Sequence, residues 1–269
     1  DMNGVKVIRV RPLLRVSKGL VMPTMFFHAW RLARKVDVLN LHMPQLDASY
    51  ISWIGKLLRK PVVLTYQCDL RLPHGIVHFL ANQVSHSVNH LAAWASDAIV
   101  SITSDYAEHS SFLKKYLQKV RVVDAPVDLA PASEDDVKAF CEKFGIHKGQ
   151  RIIGMAARLA TEKGVEYMVQ ALPQVLAEIP QARVLFVGPY QNVVGEKKYA
   201  ERIMPLIDGL ENHWSFLGVI SPVEMTAFFK TSEVLVLPSL NSTEGFGLVQ
   251  VEAMMCGTPV IATDMPGVR

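Results

Sequence analysis

The stretch VLVLPSLNSTEGFGLVQVEAMMCGTPVIAT, residues 234–263, settles the fold class. It opens on a four-residue apolar run, Val234 to Leu237, short and β-branched as buried strands are. Pro238 ends that run. A loop with glycines at Gly245 and Gly247 follows, then an apolar segment that reads as a helix from about Phe246 to Cys256. Gly257 and Pro259 stop the helix, and Val260 to Thr263 reads as the next strand. Strand, glycine loop, helix and strand in about thirty residues is a βαβ unit, which puts two parallel strands in one sheet.

The chemistry of this stretch lies at its loop-to-helix junction. Glycines let backbone approach a ligand closely, and the unpaired N–H groups of a helix start, with the positive end of its dipole, attract anions. Glu244 lies ahead of the helix, where a carboxylate can accept hydrogen bonds from hydroxyl groups. Glu252 lies about 9–12 Å further along the helix at 1.5 Å per residue. The gap suits a ribose at one end and a hexose at the other with phosphates between. Two carboxylates beside a diphosphate require compensating cations, and Arg158 and Lys163 of RLATEKG (158–164) follow the first strand of the same α/β unit. A planar guanidinium fork and a point ammonium suit phosphate oxygens that gain charge as a sugar departs. No D-x-D pair is present to hold a divalent cation on a diphosphate, so the expected chemistry is metal-independent. Taken singly, two acids on a helix or a lone R-x4-K are ordinary surface features. Both sets lying just beyond strands, where doubly wound sheets bind ligands, gives them meaning.

Outward from this unit the alternation continues. Strands are predicted at Ile152 to Ala156, Val184 to Val187 and Ser215 to Leu217, with helices at Val165 to Ile179 and Pro222 to Lys230. In the first half, buried strands are predicted at Val5 to Val10, Val38 to Leu41, Val62 to Tyr66, Ala98 to Ile102 and Val120 to Val123. Between the halves, Ala125 to Gln150 carries Pro126, Pro131 and the acidic run Glu134-Asp135-Asp136, and reads as the connection. Ser133 is a helix N-cap candidate with Asp136 three residues on. The expected organisation is therefore α/β with two domains, residues 1–148 and 149–269. A length of 269 residues with 50% hydrophobic side chains is enough for two cores.

Three cysteines, odd in number and widely spaced, fit a reducing compartment, and no apolar run reaches the ~18 residues of a spanning helix. A cytoplasmic location is expected. Net charge is +3, but residues before 72 hold 12 Lys and Arg against 4 Asp and Glu. With the aromatic and basic segment Leu20 to Lys35, that excess fits either a core helix with its cations in water or peripheral contact with an anionic membrane, at the inner face. No nucleic-acid partner is expected. His74/His78 and His86/His90 are i,i+4 pairs in Leu72 to Leu91, but along one helix they do not converge, and no third ligand accompanies either pair. A polar helix is the expectation there.

The segments AARLATEKGVEYMVQAL, FLGVISPVEMTAFFKTSEVLVLPS and TEGFGLVQVEAMMCGTPVIATDMPG closely resemble the donor half of the family 4 retaining glycosyltransferases. VDVLNLHMPQLDA, KPVVLTYQCDL and ASDAIVSITSDYAE resemble its first half, so the likeness spans most of the chain. It implies a GT-B fold, two Rossmann-like doubly wound domains facing across a cleft. It also implies transfer of a hexose, with retention, from a nucleotide-diphosphate sugar to a hydroxyl of a glycan or lipid-linked acceptor, without a cofactor. By position, the resemblance makes Arg158 and Lys163 the donor-phosphate cations, Glu244 the sugar ligand and Glu252 the ribose ligand. Backbone of Gly245, Phe246, Gly247 and Leu248 meets sugar and phosphate, and Val219 lies near the base. Where many relatives carry a histidine after the third strand this chain has Gln67, with Asp69 nearby, both expected on the acceptor or sugar side. The family's first strand and glycine-rich loop would lie upstream of Asp1, and its closing segment after Arg269. The competing readings are another GT-B chemistry, such as an epimerase or a phosphorylase, and a non-catalytic module that binds sugar nucleotides or glycans.

Overall fold

The structure is a computed structural model that describes residues 4–16, 19–70 and 76–269. The chain forms two compact units, Asp1–Asp124 and Ala125–Arg269.

The first unit opens with an antiparallel pair, β1 (Leu14–Val16) and β2 (Gly19–Val21), and helix α1 (Met25–Ala33). Its sheet comprises β3 (Leu39–Met43), β4 (Val62–Tyr66), β5 (Ala98–Ser101) and β6 (Val120–Val122), all parallel and in sequence order. Helices α2 (Ala48–Leu57), α3 (Ile76–Ala95) and α4 (Ser104–His109) make the crossovers. Alternate residues of β4, Val62, Leu64 and Tyr66, are buried. α2 presses onto the sheet at Gly55, where a Cβ would stand 2.4 Å from Val62 Cγ2; glycine is what lets the helix lie so close. The strand expected over Val5 to Val10 does not form. Val5 makes only an isolated bridge, residues 6–10 carry no regular structure, and Val5, Val7 and Ile8 are exposed, so nothing buries the run although β3 is an edge strand. α1 buries Ala29 and Ala33 but leaves Phe27 72% exposed. Its aromatic face is therefore divided between core and solvent. Among the described residues no helix is long and apolar enough to cross a membrane.

The second unit begins with α5 (Glu134–Lys143), followed by β7 (Arg151–Ala156), α6 (Val165–Glu178), β8 (Ala182–Val187), α7 (Lys197–Asp208), β9 (Trp214–Gly218), α8 (Pro222–Thr231), β10 (Val234–Leu237), α9 (Leu248–Met255) and β11 (Val260–Ala262). Its parallel sheet runs β11-β10-β7-β8-β9. The chain winds outward from β7 through β8 and β9, then returns to β7's other side with β10 and β11. That is doubly wound order, and it places the topological switch between β7 and β10. Both sheet faces are covered: Val165, Met168, Leu172, Phe186 and Ile203 fill one core, and Phe140, Ile152, Leu185, Phe228 and Phe229 the other. Fully burying a phenylalanine such as Phe228 contributes about 1.5–3 kcal/mol.

The division at Asp124/Ala125 corrects the boundary expected at 148/149, because the connection is laid onto α8. Thr226 Oγ1 donates to Ala130 O and Lys230 Nζ to Ala132 O, each at 2.7 Å, while Lys143 Nζ meets Glu224 Oε1 at 2.6 Å. Ser133 and Asp136 form the full capping box of α5, so these acids serve the helix.

Candidate active site

The switch point between β7 and β10 gathers the predicted donor-site residues. β7 runs out at Ala156, and the turn beyond it carries Arg158 to Gly164; β10 runs out at Leu237, and the loop beyond it carries Glu244 to Gly247. The strands are parallel neighbours, so both turns leave the same sheet edge. They are stitched together: Leu240 N–H donates to Glu162 O at 2.9 Å, and Gly164 packs so closely on Pro238 that a Cβ would sit 2.0 Å from its carbonyl oxygen. Gly164 has φ +62°, a left-handed conformation, so two independent constraints demand glycine there.

Lys163 Nζ crosses this seam to Glu244 Oε2 at 2.5 Å, and Ser239 Oγ donates to the same oxygen at 3.0 Å. The lysine and glutamate side chains are 21% and 14% exposed, so the pair is shielded yet reachable. Arg158 lies two residues past β7 and is held by Glu162, Nη2 to Oε1 2.6 Å, with its side chain 47% exposed. The structure thus brings Lys163 and Glu244 together, whereas Arg158 rests on a carboxylate one helical turn away.

α9 begins at Leu248, two residues later than predicted, because Gly247 has φ +76° and stands outside the helix. A Cβ at Gly247 would lie 2.6 Å from Leu237 Cδ2. No side chain caps α9, which leaves its first-turn N–H groups and positive dipole end for an anion. Gln250, which sequence reading passed over, fixes this junction: its buried side-chain amide donates to Phe246 O at 2.6 Å and Val268 O at 2.9 Å. Glu252 is half-buried on α9, and burial raises its pKa above the ordinary carboxylate range. Among the described residues no cation pairs with it.

A second residue missed by sequence reading is Glu196, just ahead of α7. It is buried, and its Oε2 accepts from Thr161 N–H at 3.0 Å and Thr161 Oγ1 at 2.8 Å. This carboxylate clamps the middle of the Arg158–Lys163 turn. On the neighbouring strand ends, Gly188 N–H donates to Gly218 O at 2.8 Å, and Val219 follows 79% exposed.

In the first unit, Gln67 follows β4 and its Nε2 lies 3.1 Å from His42 Nδ1 at the end of β3. Asp69 is 7% exposed and fully engaged within the unit. Oδ1 accepts from Tyr66 Oη at 2.8 Å and Ser110 Oγ at 2.6 Å, and Oδ2 from Ser111 N–H at 3.2 Å. Asp69 therefore positions the backbone beyond β4, and Gln67 is the member of the pair left accessible. His74 lies outside the described residues. His86 and His90 stack at 6.3 Å, and His90 Nδ1 meets Tyr116 Oη at 2.8 Å. Among the described residues no three metal-binding side chains gather.

Comparison with known proteins agrees with this architecture. Residues 136–269 match the model of the family "Glycosyl transferases group 1". An uncharacterized glycosyltransferase of Methanocaldococcus jannaschii is 24% identical over 99% of this chain and 69% of its own length. The alpha-monoglucosyldiacylglycerol synthase of Streptococcus pneumoniae is 24% identical over 80% of this chain, which spans 48% of that enzyme. Among solved structures, HepE of Anabaena in complex with UDP and glucose superposes with a TM-score of 0.74 at 24% identity, covering 90% of this chain and 63% of that one. The fold is that of the GT-B glycosyltransferases, and through residues 136–269 the chain belongs to the glycosyl transferases group 1 family.

Proposed function

We propose that the chain belongs to a retaining hexosyltransferase that moves a sugar from a nucleotide-diphosphate donor to a hydroxyl of a glycan or lipid-linked acceptor, without a metal ion. The observation that carries this reading is the Lys163–Glu244 pair in front of the uncapped end of α9, at the switch point of the second unit.

In this reading the donor diphosphate rests on the N–H groups around Gly245, Phe246, Gly247 and Leu248, and replaces Glu244 as a partner of Lys163. Arg158 leaves Glu162 for the phosphate oxygens. Glu244, freed of its lysine, accepts from sugar hydroxyls, Glu252 from the ribose, and the base lies along the backbone at Val219. As the bond from the anomeric carbon to the phosphate oxygen breaks, negative charge grows on the leaving diphosphate. Arg158, Lys163 and the helix end stabilise that charge more than they stabilise the bound donor, which is the condition for catalysis. The acceptor hydroxyl bonds to the anomeric carbon on the face the phosphate leaves, and gives its proton to the departing phosphate oxygen. In the first unit, Gln67 is the exposed side chain offered to the acceptor or sugar side, and Asp69 holds the segment that carries it. Support for a glycolipid acceptor comes from the pneumococcal relative, named for a synthase of that class.

A thermal-shift panel of nucleotide sugars, followed by an assay of sugar release from the best binder, tests the proposal. Stabilisation by at least one donor, and release that is abolished in Glu244→Ala and Lys163→Ala, is expected. Release at the wild-type rate by both variants rejects the assignment.

A further inference from the structure

The first unit holds a cavity of about 530 Å3 at the opposite edge of its sheet from Gln67, where β4 and β5 begin. Its lining includes Lys56, Arg59, Lys60, Trp94, Asp97 and Lys119. Four cations around one concavity repel one another unless something negative sits among them. The single carboxylate, Asp97, raises the Lys119 pKa but offsets only one of the four charges, and its Oδ2 also accepts the Val62 N–H at 2.7 Å.

Two of the cations have structural duties. Lys119 Nζ donates to the carbonyls of Ala93, Trp94 and Ser96 at 2.9, 3.1 and 2.7 Å, capping the end of α3. Burial lowers its pKa, and the charge of Lys56 lowers it further. Lys56 Nζ lies 3.9 Å over the Trp94 ring, a cation–π contact that fixes its height. Arg59 and Lys60 have no such duty: among the described residues neither side chain has an ion-pair or hydrogen-bond partner. Arg59 also has φ +55° at the end of α2, a position where glycine is the residue without steric cost. Beside the cavity, Trp53 and Trp94 stack at 5.0 Å, and with Leu57 they are exposed, giving the cationic hollow an apolar rim.

We propose that this hollow is a second anion site, distinct from the donor site, that binds a phosphate group through Arg59 and Lys60 with Lys56 held on Trp94 behind them. The ligand chemistry is a phosphate mono- or diester with apolar surface next to it, and either a lipid headgroup or a soluble phosphate compound supplies it.

The test uses the intact chain. Binding is measured to vesicles of phosphatidylcholine with and without 30% phosphatidylglycerol, and to inorganic phosphate by calorimetry. The site variant is Arg59→Gly with Lys60→Gln; glycine suits the left-handed backbone, so this variant folds. The control, Lys138→Gln with Lys148→Gln, removes the same charge from exposed positions of the second unit. Binding to anionic vesicles or to phosphate that falls about tenfold or more in the site variant and stays unchanged in the control supports the site, and the arm that responds names the source. Absence of binding in both arms, or equal loss in the two variants, overturns it.

Discussion

Lys163 Nζ donates to Glu244 Oε2 across the seam between the turns that follow β7 and β10, joining residues 81 apart in sequence at 2.5 Å. The contact exists because β7 and β10 are parallel neighbours at the switch point, so their turns leave the sheet side by side. An ammonium and a carboxylate that hold each other in the ligand-free chain are both available once a diphosphate takes the ammonium. On the proposed reading, the pair keeps the two recognition elements in register until donor arrives.

Lys163→Ala is expected to lower turnover about 100-fold or more, the size of effect seen when one donor to a developing anion is removed. Lys163→Arg restores charge but not the compact geometry, and is expected to recover only part of the rate. Steady-state sugar release separates the two.

Gly164→Ala is expected to destabilise the second unit by about 2 kcal/mol or more, since a Cβ collides with Pro238 O and the left-handed backbone adds its own cost. A fall of several degrees in melting temperature checks this. Gly149→Ala, also left-handed but with nothing near its Cβ, is expected to cost less.

Glu196→Ala removes the acceptor of both Thr161 groups, and is expected to cost about 1–3 kcal/mol in stability. On the proposed reading Glu196 positions the turn through Thr161, so nucleotide binding is expected to weaken while the pH profile of turnover keeps its shape. A profile that shifts would assign it a direct chemical role.

Glu224 predicts a pH signature. Hydrogen bonds from Lys143 and from the Ser221 cap hold its pKa down to about 2, from an ordinary value of 4.5. A carboxylate depressed in the folded state stabilises the fold above its unfolded pKa and loses that contribution as pH falls through the folded value. Glu224→Gln is therefore expected to be less stable than wild type at neutral pH, with the difference closing between pH 4.5 and about 2. Urea unfolding at a series of pH values measures it; a constant difference contradicts the assignment.

Much of the architecture was readable from pattern alone. Val62 to Tyr66 and Val234 to Leu237 form strands with the predicted bounds, because short apolar runs rich in β-branched residues, with alternate side chains fully buried, leave little alternative. α7 was missed: Lys197, Lys198, Glu201 and Arg202 crowd its first turns and Pro205 lies inside it, obscuring Tyr199, Ile203 and Ile207 at buried helical spacing. The run at Val5 to Val10 misled in the opposite sense, since β-branched residues gain from a strand only when packing buries them, and Val5, Val7 and Ile8 stay exposed. At the site, residue types and spacing pointed to Arg158, Lys163, Glu244 and Glu252. The hold of Glu196 on Thr161 was hidden because it arises from tertiary placement 35 residues apart, whereas Glu162 lies only four residues from Arg158 and sequence reading passed it over. Asp69 shows the converse: sequence marks a carboxylate near a ligand, and only the fold reveals that Tyr66, Ser110 and Ser111 occupy it.

Calorimetric titration of UDP and GDP into the wild-type chain and Lys163→Ala tests the diphosphate seat most directly. The account predicts that at least one nucleotide binds the wild type and that its Kd weakens about tenfold or more in the variant. The same Kd in both proteins would mean that the diphosphate does not rest between Lys163 and the start of α9.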